Sequence, residues 1–489
     1  MLVASGAFRS LLAVCVLTLP IVGLPGNVGL SPSKTSAQTT GGKHSLSPMP
    51  VARGFITRRL DQQITCKAAA SPDEVRSLRR DDRIAPLHVI SNTRRGLSAE
   101  EAGLTIVLRA TDQLESFPQA RAAYLAAAAT WESLIATPIT IAIDVDFGPT
   151  WFGEAFGASV LGETTSQEIG DDSIYPDLRE TLIEHASAAQ ETILYGVLPV
   201  SSVPTDLGST TFVIAPSATW RALGFISPTA DPVGEKSEFG DPPATGFNSS
   251  FSYDFNPDDG IDPGKLDFNA IALHELGHVL GFDSEAGARE LDADFPLAVS
   301  VWDLFRLRPG STLDAFSSVQ RILSSGGQQV HFSGGSELGL STGRPDGSGG
   351  DGNQASHWLD DRITGRRIGV MDPTLEDGQH VTITTSDLLA LDSFGYRLKM
   401  EPTNPDAPAL SQVSLTGKKI TISGSRLAAP LQIEINGLVV SPPINANANS
   451  SGTKVKLKGS KSALNLTPGP NQVRVISAGL ASNTLVLNL

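Results

Sequence analysis

Residues 274–282 read His-Glu-Leu-Gly-His-Val-Leu-Gly-Phe, and this stretch constrains the fold of the 489-residue chain more than any other. Positions i and i+4 of a helix lie on one face, so His274 and His278 are expected to point in the same direction. The apolar residues of the stretch form a separate stripe that can bury the helix, namely Leu273, Leu276 and Leu280. The pattern therefore predicts a central helix over 268–282 with two paired imidazoles.

Two imidazoles one helical turn apart can share a tetrahedral zinc ion. Glu275 is adjacent to the first of them and is expected to lean toward the fourth zinc position, where a water would bind. Zinc lowers the pKa of that water, and a carboxylate can then accept its proton. Histidines on an apolar helix are more often structural, but this spacing around a glutamate favours His274 and His278 as metal ligands and Glu275 as the catalytic base.

A zinc site of this kind needs a third protein ligand, and the chain has eight histidines. The histidines upstream of the helix lie in regions with other assignments; they are His44, His88 and His185. The histidines downstream of the helix all remain candidates; they are His331, His357 and His380.

A family resemblance bears on this choice. His274-Glu275-x-x-His278-x-x-Gly281 resembles the start of the metzincin zinc-protease signature. The compact form of that signature has a third histidine three residues after the glycine, where this chain has Ser284. Leishmanolysin-type enzymes insert a long segment before the third histidine and follow it with a methionine turn. The stretches 356–358 (Ser-His-Trp) and 369–373 (Gly-Val-Met-Asp-Pro) are similar to that arrangement.

The resemblance covers roughly residues 104–398 and implies that His357 is the third zinc ligand, with Met371 in the turn below the metal. Asp283, which is close to the helix and able to bind zinc, is the alternative third ligand. Gly281 is expected to permit the sharp turn that ends the helix.

The resemblance also implies a fold and an activity. The fold is α+β, a zinc metalloprotease domain over 104–401 with a twisted mixed sheet and an active-site helix. The activity is hydrolysis of a peptide bond in a protein or peptide substrate, with one Zn²⁺ ion and Glu275 as the base. The alternatives are an exported, non-enzymatic binding or adhesion protein with a structural zinc site, and a zinc hydrolase of a non-peptide bond.

The residues around the helix predict the remaining elements of this domain. Strands over 104–109 and 139–147 flank an alanine-rich helix over 118–135, which indicates a sheet backed by helices. A helix over 176–195, a strand over 210–215 and a last helix over 384–396 complete the prediction. Residues 233–266 are expected to be loop, and the glycine-rich stretch 326–352 a long flexible surface loop.

The N-terminal residues predict export. Arg9 precedes the apolar run 11–24, and small residues end the stretch at 35–37, which is typical of a secretory signal peptide over 1–37. The run is too short to span a bilayer, so a membrane anchor is the less favoured alternative and no transmembrane span is expected after signal removal. The protein is therefore expected to be secreted, with residues 38–103 as an N-terminal extension or a pro-segment.

The extension contains the only thiol that remains once Cys15 is removed with the signal peptide, Cys66. One cysteine cannot form an intramolecular disulfide, so the core, a metal ion or both must hold the fold together. A plain unpaired cysteine is the favoured interpretation. The alternative is a thiolate that occupies the open zinc position and keeps an enzyme latent.

The C-terminal residues have a different pattern. A stiff linker over 402–408 leads to short alternating runs over 409–489, which predict an all-β sandwich. This stretch resembles the immunoglobulin-like IPT/TIG modules of exported proteins. It could bind a surface or another protein, although the row Lys454, Lys456 and Lys458 is more simply explained as a solvated strand face.

Composition excludes some functions. The chain has 40% hydrophobic and 18% charged residues, which is typical of a globular protein rather than a disordered one. Its net charge of −15 makes a nucleic-acid partner a poor candidate. The acidic stretch 254–262 is expected to be a surface loop, with a structural Ca²⁺ ion as the alternative, because its glycine is one position later than an EF-hand requires.

Overall fold

The computed structural model describes residues 46–61, 63–69, 74, 78, 86–90, 103–186, 189–334, 337–399, 408–428, 431–436, 438–440, 447–477, 480–482 and 485–489. All of them belong to one unit, residues 42–489. The predicted signal peptide and residues 402–407 of the predicted linker lie outside the described residues. None of the helices in the described ranges combines the length and the apolar character that crossing a membrane requires.

The protein is of the α+β class. Up to residue 399 its strands are β1 (Met49–Leu60), β2 (Gln63–Ala68), β3 (Leu87–Val89), β4 (Thr105–Thr111), β5 (Thr140–Gly148), β6 (Thr150–Trp151), β7 (Glu154–Ala155), β8 (Val160–Asp171), β9 (Val203–Thr205), β10 (Gly208–Thr210), β11 (Val213–Pro216), β12 (Ala244–Asn248), β13 (Tyr253–Asp254), β14 (Leu266–Asp267), β15 (Val299–Ser300), β16 (Arg306–Leu307), β17 (Gln329–Phe332), β18 (Glu337–Leu340) and β19 (Thr374–Glu376).

The helices lie between these strands. They are α1 (Pro118–Leu134), α2 (Tyr175–His185), α3 (Ala189–Gly196), α4 (Ser217–Ala222), α5 (Lys236–Phe239), α6 (Phe268–Leu280), α7 (Ala288–Leu291), α8 (Asp361–Thr364) and α9 (Thr385–Ser393). Short 3₁₀ helices span Leu114–Ser116, Pro257–Asp259, Trp302–Phe305, Leu313–Ala315 and Ser462–Leu464.

A ten-stranded mixed sheet organises this part of the chain, with the order β19-β2-β1-β8-β12-β5-β4-β3. Strand β11 also pairs with β8, and β15 pairs with β11. Strands β4, β5 and β12 are parallel, whereas β8 is antiparallel to β12. The predicted strand–helix–strand unit is confirmed: β4 and β5 pair in parallel, and α1 connects them. Pro118 opens α1, where a missing backbone N–H costs no hydrogen bond.

Two segments that were expected to be loops contain strands. Residues 233–266 supply β12, which lies between β8 and β5 in the sheet, and residues 326–352 supply the β17–β18 hairpin. Both predictions were wrong because the strands are short and glycine-interrupted, so their backbone pairing is fixed by neighbouring strands rather than by local pattern. The predicted helix over 176–195 is instead two helices, α2 and α3.

The N-terminal extension is part of the large sheet. Strand β1 pairs antiparallel with β8 along almost its whole length, and β2 pairs with β1 on one side and β19 on the other. The predicted extension therefore contributes two interior strands of the sheet, a role that its poorly periodic sequence did not indicate.

The C-terminal residues form two further sheets. The first contains β20 (Ala409–Thr416), β21 (Lys419–Ser425), β24 (Asn447–Ala448) and β25 (Lys454–Lys458). The second contains β22 (Leu431–Ile435), β23 (Leu438–Val439), β26 (Pro470–Ser477), β27 (Leu480–Ala481) and β28 (Leu485–Asn488). The five predicted strands are confirmed as β21, β22, β25, β26 and β28. Buried residues of both sheets share one hydrophobic core, including Ile422 and Val455 from the first and Ile433 and Val475 from the second.

Candidate metal centre

Helix α6 is the buried element from which the site is built. The side chain of Asp267 caps its first turn by accepting a hydrogen bond from the backbone N–H of Ala270 at 3.1 Å. Gly281 ends the helix with a φ of +125°, a conformation that a side chain would strain. The helix is apolar on nearly every side, so packing in the core holds it in place.

Three imidazoles converge at the centre. His274 and His278 lie one turn apart on α6, and the loop after β18 brings His357 to them. The Nε2 atom of His274 is 3.2 Å from the Nε2 atom of His278 and also 3.2 Å from that of His357. All three rings are buried.

The other candidates for the third position have different partners. The Nδ1 atom of His331 accepts a hydrogen bond from the indole of Trp302, and His380 pairs with the carboxylate of Asp267 at 2.6 Å. The carboxylate of Asp283 accepts hydrogen bonds from Arg53 and Ser356. The structure thus brings together His274, His278 and His357, the set that the resemblance implied, and places Asp283 outside it.

The other ring nitrogen of each imidazole fixes which atom faces the centre. Nδ1 of His274, His278 and His357 lies 2.9, 2.7 and 2.9 Å from the carbonyl oxygens of Val370, Phe282 and Gln354, respectively. A carbonyl oxygen only accepts, so Nδ1 carries the proton and each neutral ring directs the lone pair of Nε2 inward.

Burial favours the neutral form of these rings. It is the largest cause that lowers the pKa of His274, and it lowers the pKa of His278 and His357 well below the ordinary value. The neighbouring imidazoles lower the last two pKa values further. Three converging lone pairs repel one another, and a bound cation removes that repulsion.

Cys66 supplies a fourth donor. Its Sγ atom, on strand β2, lies 3.6 Å from Nε2 of His278, and the four ligand atoms of Cys66, His274, His278 and His357 form one group that could hold a metal ion. Cys66 is unpaired, as expected, and the pairing of β2 with β1 places its thiol beside the three imidazoles. Burial, followed by the charge of Glu275, raises the pKa of this thiol well above its ordinary value, an effect that a bound cation would oppose.

The distances fit a tetrahedral site. Bonds of about 2.0–2.1 Å to nitrogen imply nitrogen–nitrogen edges of about 3.3–3.4 Å, and a bond of about 2.3 Å to sulfur implies a nitrogen–sulfur edge of about 3.6 Å. The observed separations of 3.2 Å and 3.6 Å match these edges closely. These three edges fit a tetrahedral metal centre, and all four donor atoms lie within 4.8 Å of one another.

A methionine turn supports the centre from below. A Cβ added to Gly277 would lie 2.4 Å from Sδ of Met371, so the thioether packs directly against α6 between the two histidines. Asp387, at the start of α9, accepts hydrogen bonds from the backbone of Val370 at 2.9 Å and from the indole of Trp358 at 2.8 Å. These contacts hold the turn and the His357 segment together. No pattern in the sequence indicated this role of Asp387.

Glu275 lies beside the centre with its two oxygens in different surroundings. Oε1 accepts a hydrogen bond from the hydroxyl of Thr57 on β1 at 2.5 Å. Oε2 is buried and has no hydrogen-bond partner in the described part of the chain. A buried carboxylate oxygen without a partner is costly, so this atom is available for a ligand.

A small cleft opens beside Glu275. Most of its walls are apolar, with Ile64, Ile271, Val370, Leu375 and Val381 among the lining residues. Arg367 and Asp372 also line it. The lining of the cleft suits an apolar side chain.

Strand β1 covers the centre. In a strand the side chains of successive residues point to opposite faces, so those of Arg53, Phe55 and Thr57 share one face. The ring of Phe55 stacks on that of His278 with 3.7 Å between centroids, and Thr57 contacts Glu275 as described above. Sequence analysis missed these three residues because nothing in their local pattern relates them to α6.

The acidic stretch 254–262, for which a structural Ca²⁺ ion was the alternative, is organised by its own hydrogen bonds. Asp254 accepts from the backbone of Asn256 and Asp262, and Asp262 pairs with Lys265 at 2.6 Å. None of the groups of described residues with metal-binding geometry lies in this loop. A second such group, Asp360, Asp361 and Asp372, lies against Arg367, which is 2.8 Å from a carboxylate oxygen of Asp361.

Two comparisons with known proteins found no relative of the chain. A scan against protein-family models finds no match for the chain, and a search of the curated proteins finds none either.

Proposed function

We propose that the chain is a secreted zinc-dependent endopeptidase of the metzincin type. The observation that carries the proposal is the convergence of three neutral Nε2 atoms next to the buried carboxylate of Glu275. Imidazole and thiolate donors at tetrahedral edges suit Zn²⁺ better than Ca²⁺ or Mg²⁺, which take oxygen ligands.

In this proposal the chain's own residues position and deprotonate a water. When bound, zinc supplies Lewis acidity that acidifies a water and polarises a peptide carbonyl. Glu275 accepts the proton of the water on Oε2, the oxygen that has no hydrogen-bond partner among the described residues. The carboxylate then passes the proton to the leaving amine, and the apolar cleft beside it takes a substrate side chain.

The same proposal requires that the described conformation be a closed form. The thiol of Cys66 takes the position that a water needs, and Phe55 covers His278. Both belong to the β1–β2 hairpin, so the hairpin must leave the centre before a substrate can enter. Without that movement the enzyme is latent.

The second candidate is an exported binding protein with a structural zinc site, and the fourth donor Cys66 favours it. Glu275 weighs against it. A purely structural site gains nothing from a carboxylate whose Oε2 is buried without a partner, because leaving that oxygen unpaired costs about 1–3 kcal/mol or more.

Metal content and proteolysis of four full-length proteins separate the two candidates: wild type, Cys66→Ala, Glu275→Gln and the double variant. For a peptidase, Cys66→Ala retains zinc and cleaves casein faster than wild type, and a chelator abolishes cleavage. The double variant keeps the zinc and loses the cleavage. For a structural site, Cys66→Ala loses zinc affinity and no variant cleaves casein.

We also propose that residues 409–489 form an immunoglobulin-like module of the IPT/TIG type. The shared core of its two sheets and the regular alternation of β25, in which Lys454, Lys456 and Lys458 are exposed, support this proposal. Binding of the full chain to anionic and neutral vesicles, compared with a variant in which the three lysines are glutamines, tests whether the exposed row binds a surface.

A further inference from the structure

Strand β1 shows how an extended polypeptide fits across the metal centre. It pairs antiparallel with β8, and its alternate residues place Phe55 over His278 and Thr57 beside Glu275. Main-chain pairing with a sheet edge and pockets for alternate side chains are the general means by which proteins bind extended peptides. The contacts of β1 therefore indicate which pockets a peptide in the same register would meet.

The first of these pockets holds Arg53. Its guanidinium donates two parallel hydrogen bonds to the carboxylate of Glu285, at 2.8 and 2.7 Å, and another to Oδ2 of Asp283 at 2.5 Å. The side chains of both acids are at most 2% exposed, and that of Arg53 is 11% exposed. Bidentate pairing of this kind selects a planar guanidinium over other groups.

Contacts with residues other than Arg53 hold Asp283 and Glu285 in place. Asp283 and Glu285 follow the turn at Gly281. The hydroxyl of Ser356 donates to Oδ1 of Asp283 at 2.9 Å, and the backbone N–H of Glu285 donates to Asp303 at 2.8 Å. The pocket is thus built into the same segment that ends α6, next to His278.

A third carboxylate faces the same space. Glu168 on β8 is opposite Val51, so its side chain is on the same face of the sheet as that of Arg53. It is 1% exposed, and neither of its oxygens has a hydrogen-bond partner among the described residues. Burial, and then the charge of Asp283, raise the pKa of Glu168 well above its ordinary value.

Arg53 is the cation that this pocket uses. Asp283 and Glu285 both pair with its guanidinium, and Glu168, whose raised pKa disfavours the charged form, lies beside them. Arg306 is already engaged by Asp303 at 2.9 Å. When β1 leaves, the carboxylates of Asp283 and Glu285 lose their cation, so the vacated pocket should attract another one.

We infer that Asp283, Glu285 and Glu168 form a subsite for an arginine or lysine side chain of the substrate. For a substrate bound in the register and direction of β1, this basic residue lies two positions before the residue that contacts His278. The inference rests on the proposed peptidase function for its substrate, but the cation pocket itself can be tested without activity.

The first experiment uses butylguanidinium as a probe of the pocket, with the neutral, similarly shaped butylurea as its control. The full-length Arg53→Ala chain should gain thermal stability saturably with butylguanidinium and not with butylurea. Wild type, whose pocket is filled, should not respond, and adding Glu285→Gln to Arg53→Ala should abolish the response. Arg53→Gln, which keeps most of the side-chain volume, replaces Arg53→Ala if that variant does not fold. Equal responses to both probes would overturn the inference.

The second experiment measures cleavage preference. The Cys66→Ala/Arg53→Ala chain, whose pocket is vacant, is given peptides that differ only in Arg, Gln or Glu at the stated position, and kcat/KM is compared as a ratio. The Arg peptide should be preferred over the Glu peptide by on the order of tenfold or more. Glu285→Lys should reverse the order, whereas Glu290→Gln, a partly exposed acid that pairs with Arg344, should leave the ratio unchanged.

The two experiments distinguish the two proposals. Cleavage of all three peptides at equal rates overturns the basic subsite and leaves the peptidase intact. Saturable binding of butylguanidinium without cleavage of any peptide refutes the peptidase and supports the cation pocket as a binding site.

Discussion

His357 is the only imidazole of the centre that comes from outside helix α6, and we expect its loss to remove the metal. Loss of a hydrogen bond to a metal ligand weakens metal binding by roughly 10–100-fold. Loss of the ligand itself should weaken it more, so the zinc affinity of the His357→Ala chain should fall by more than that. Metal analysis after dialysis at fixed free zinc measures this. His88→Ala, which changes an exposed histidine paired with Glu115, is the matched control and should keep its metal. Full retention of zinc by His357→Ala would remove His357 from the centre.

His331 should make stability depend on pH. Burial, with a smaller contribution from Arg306, lowers the pKa of His331 to about 3, whereas the unfolded chain titrates near its ordinary value of 6.5. Below that value the unfolded state binds a proton that the folded state does not, so the stability that His331 contributes is full above pH of about 6.5 and is lost as the pH falls toward 3.

The expected loss is about 1.4 kcal/mol per pH unit in this window from His331 alone. Denaturant unfolding of wild type and His331→Gln at pH 7, 6 and 5 measures it, because glutamine keeps an acceptor for the indole of Trp302. The variant should lose less stability on acidification than wild type. Parallel pH dependences would show that this histidine does not carry the effect.

At the scale of single residues, local spacing determined what could be predicted. His274, Glu275 and His278 lie within one helical turn and a half, so the sequence alone places them together. Cys66 and His278 are 212 residues apart, and Thr57 and Glu275 are 218 apart. Contacts over such separations depend on strand pairing that no local pattern encodes. The sequence did not indicate the grouping of Glu168 and Glu285 around Arg53 for the same reason.

At the scale of elements, the contact between α6 and the methionine turn should be sensitive to a single methyl group. Gly277→Ala places a Cβ 2.4 Å from Sδ of Met371 in a buried helix. We expect a destabilisation of about 1–3 kcal/mol from overpacking, although alanine is the better helix former by about 1 kcal/mol.

Gly196→Ala is the matched control for this substitution. Gly196 ends α3, and a Cβ there would meet no atom within 4 Å. This variant should be neutral or more stable than wild type, as judged by thermal unfolding. A Gly277→Ala chain that is as stable as the Gly196→Ala chain would mean that the turn yields to the extra methyl group.

The elements also show which patterns identify secondary structure. Strands with clear alternation, such as β5 and β25, and the alanine-rich α1 were predicted close to their bounds. Strand β12 reads Ala-Thr-Gly-Phe-Asn and is nearly all buried, because β5 and β8 flank it and the core covers both faces. Such a strand has no alternation to detect.

At the scale of the whole molecule, metal and folding should be coupled. A ligand that binds only the folded chain stabilises it by about 2.7 kcal/mol when its free concentration is 100 times its dissociation constant. Chelation should therefore lower the melting temperature measured by calorimetry, and added zinc should restore it. An unchanged melting temperature would mean that the four donors bind no metal in the folded chain.

A variant of the C-terminal core provides the contrast. Ile422 is fully buried in that core, and Ile422→Ala should cost about 2–5 kcal/mol there. Its zinc content should equal that of wild type, because helix α6, which carries two of the ligands, packs in a different hydrophobic cluster.

The alternation of side chains along β1 has a final consequence. Inserting or deleting one residue between Arg53 and Phe55 would turn one of the two away from α6, since neighbours on a strand point to opposite faces. The guanidinium and the phenyl ring can reach their places together only when an odd number of residues separates them. A polypeptide with a cationic and an aromatic side chain separated by one residue would compete with β1 for the same two pockets, whatever its other residues are.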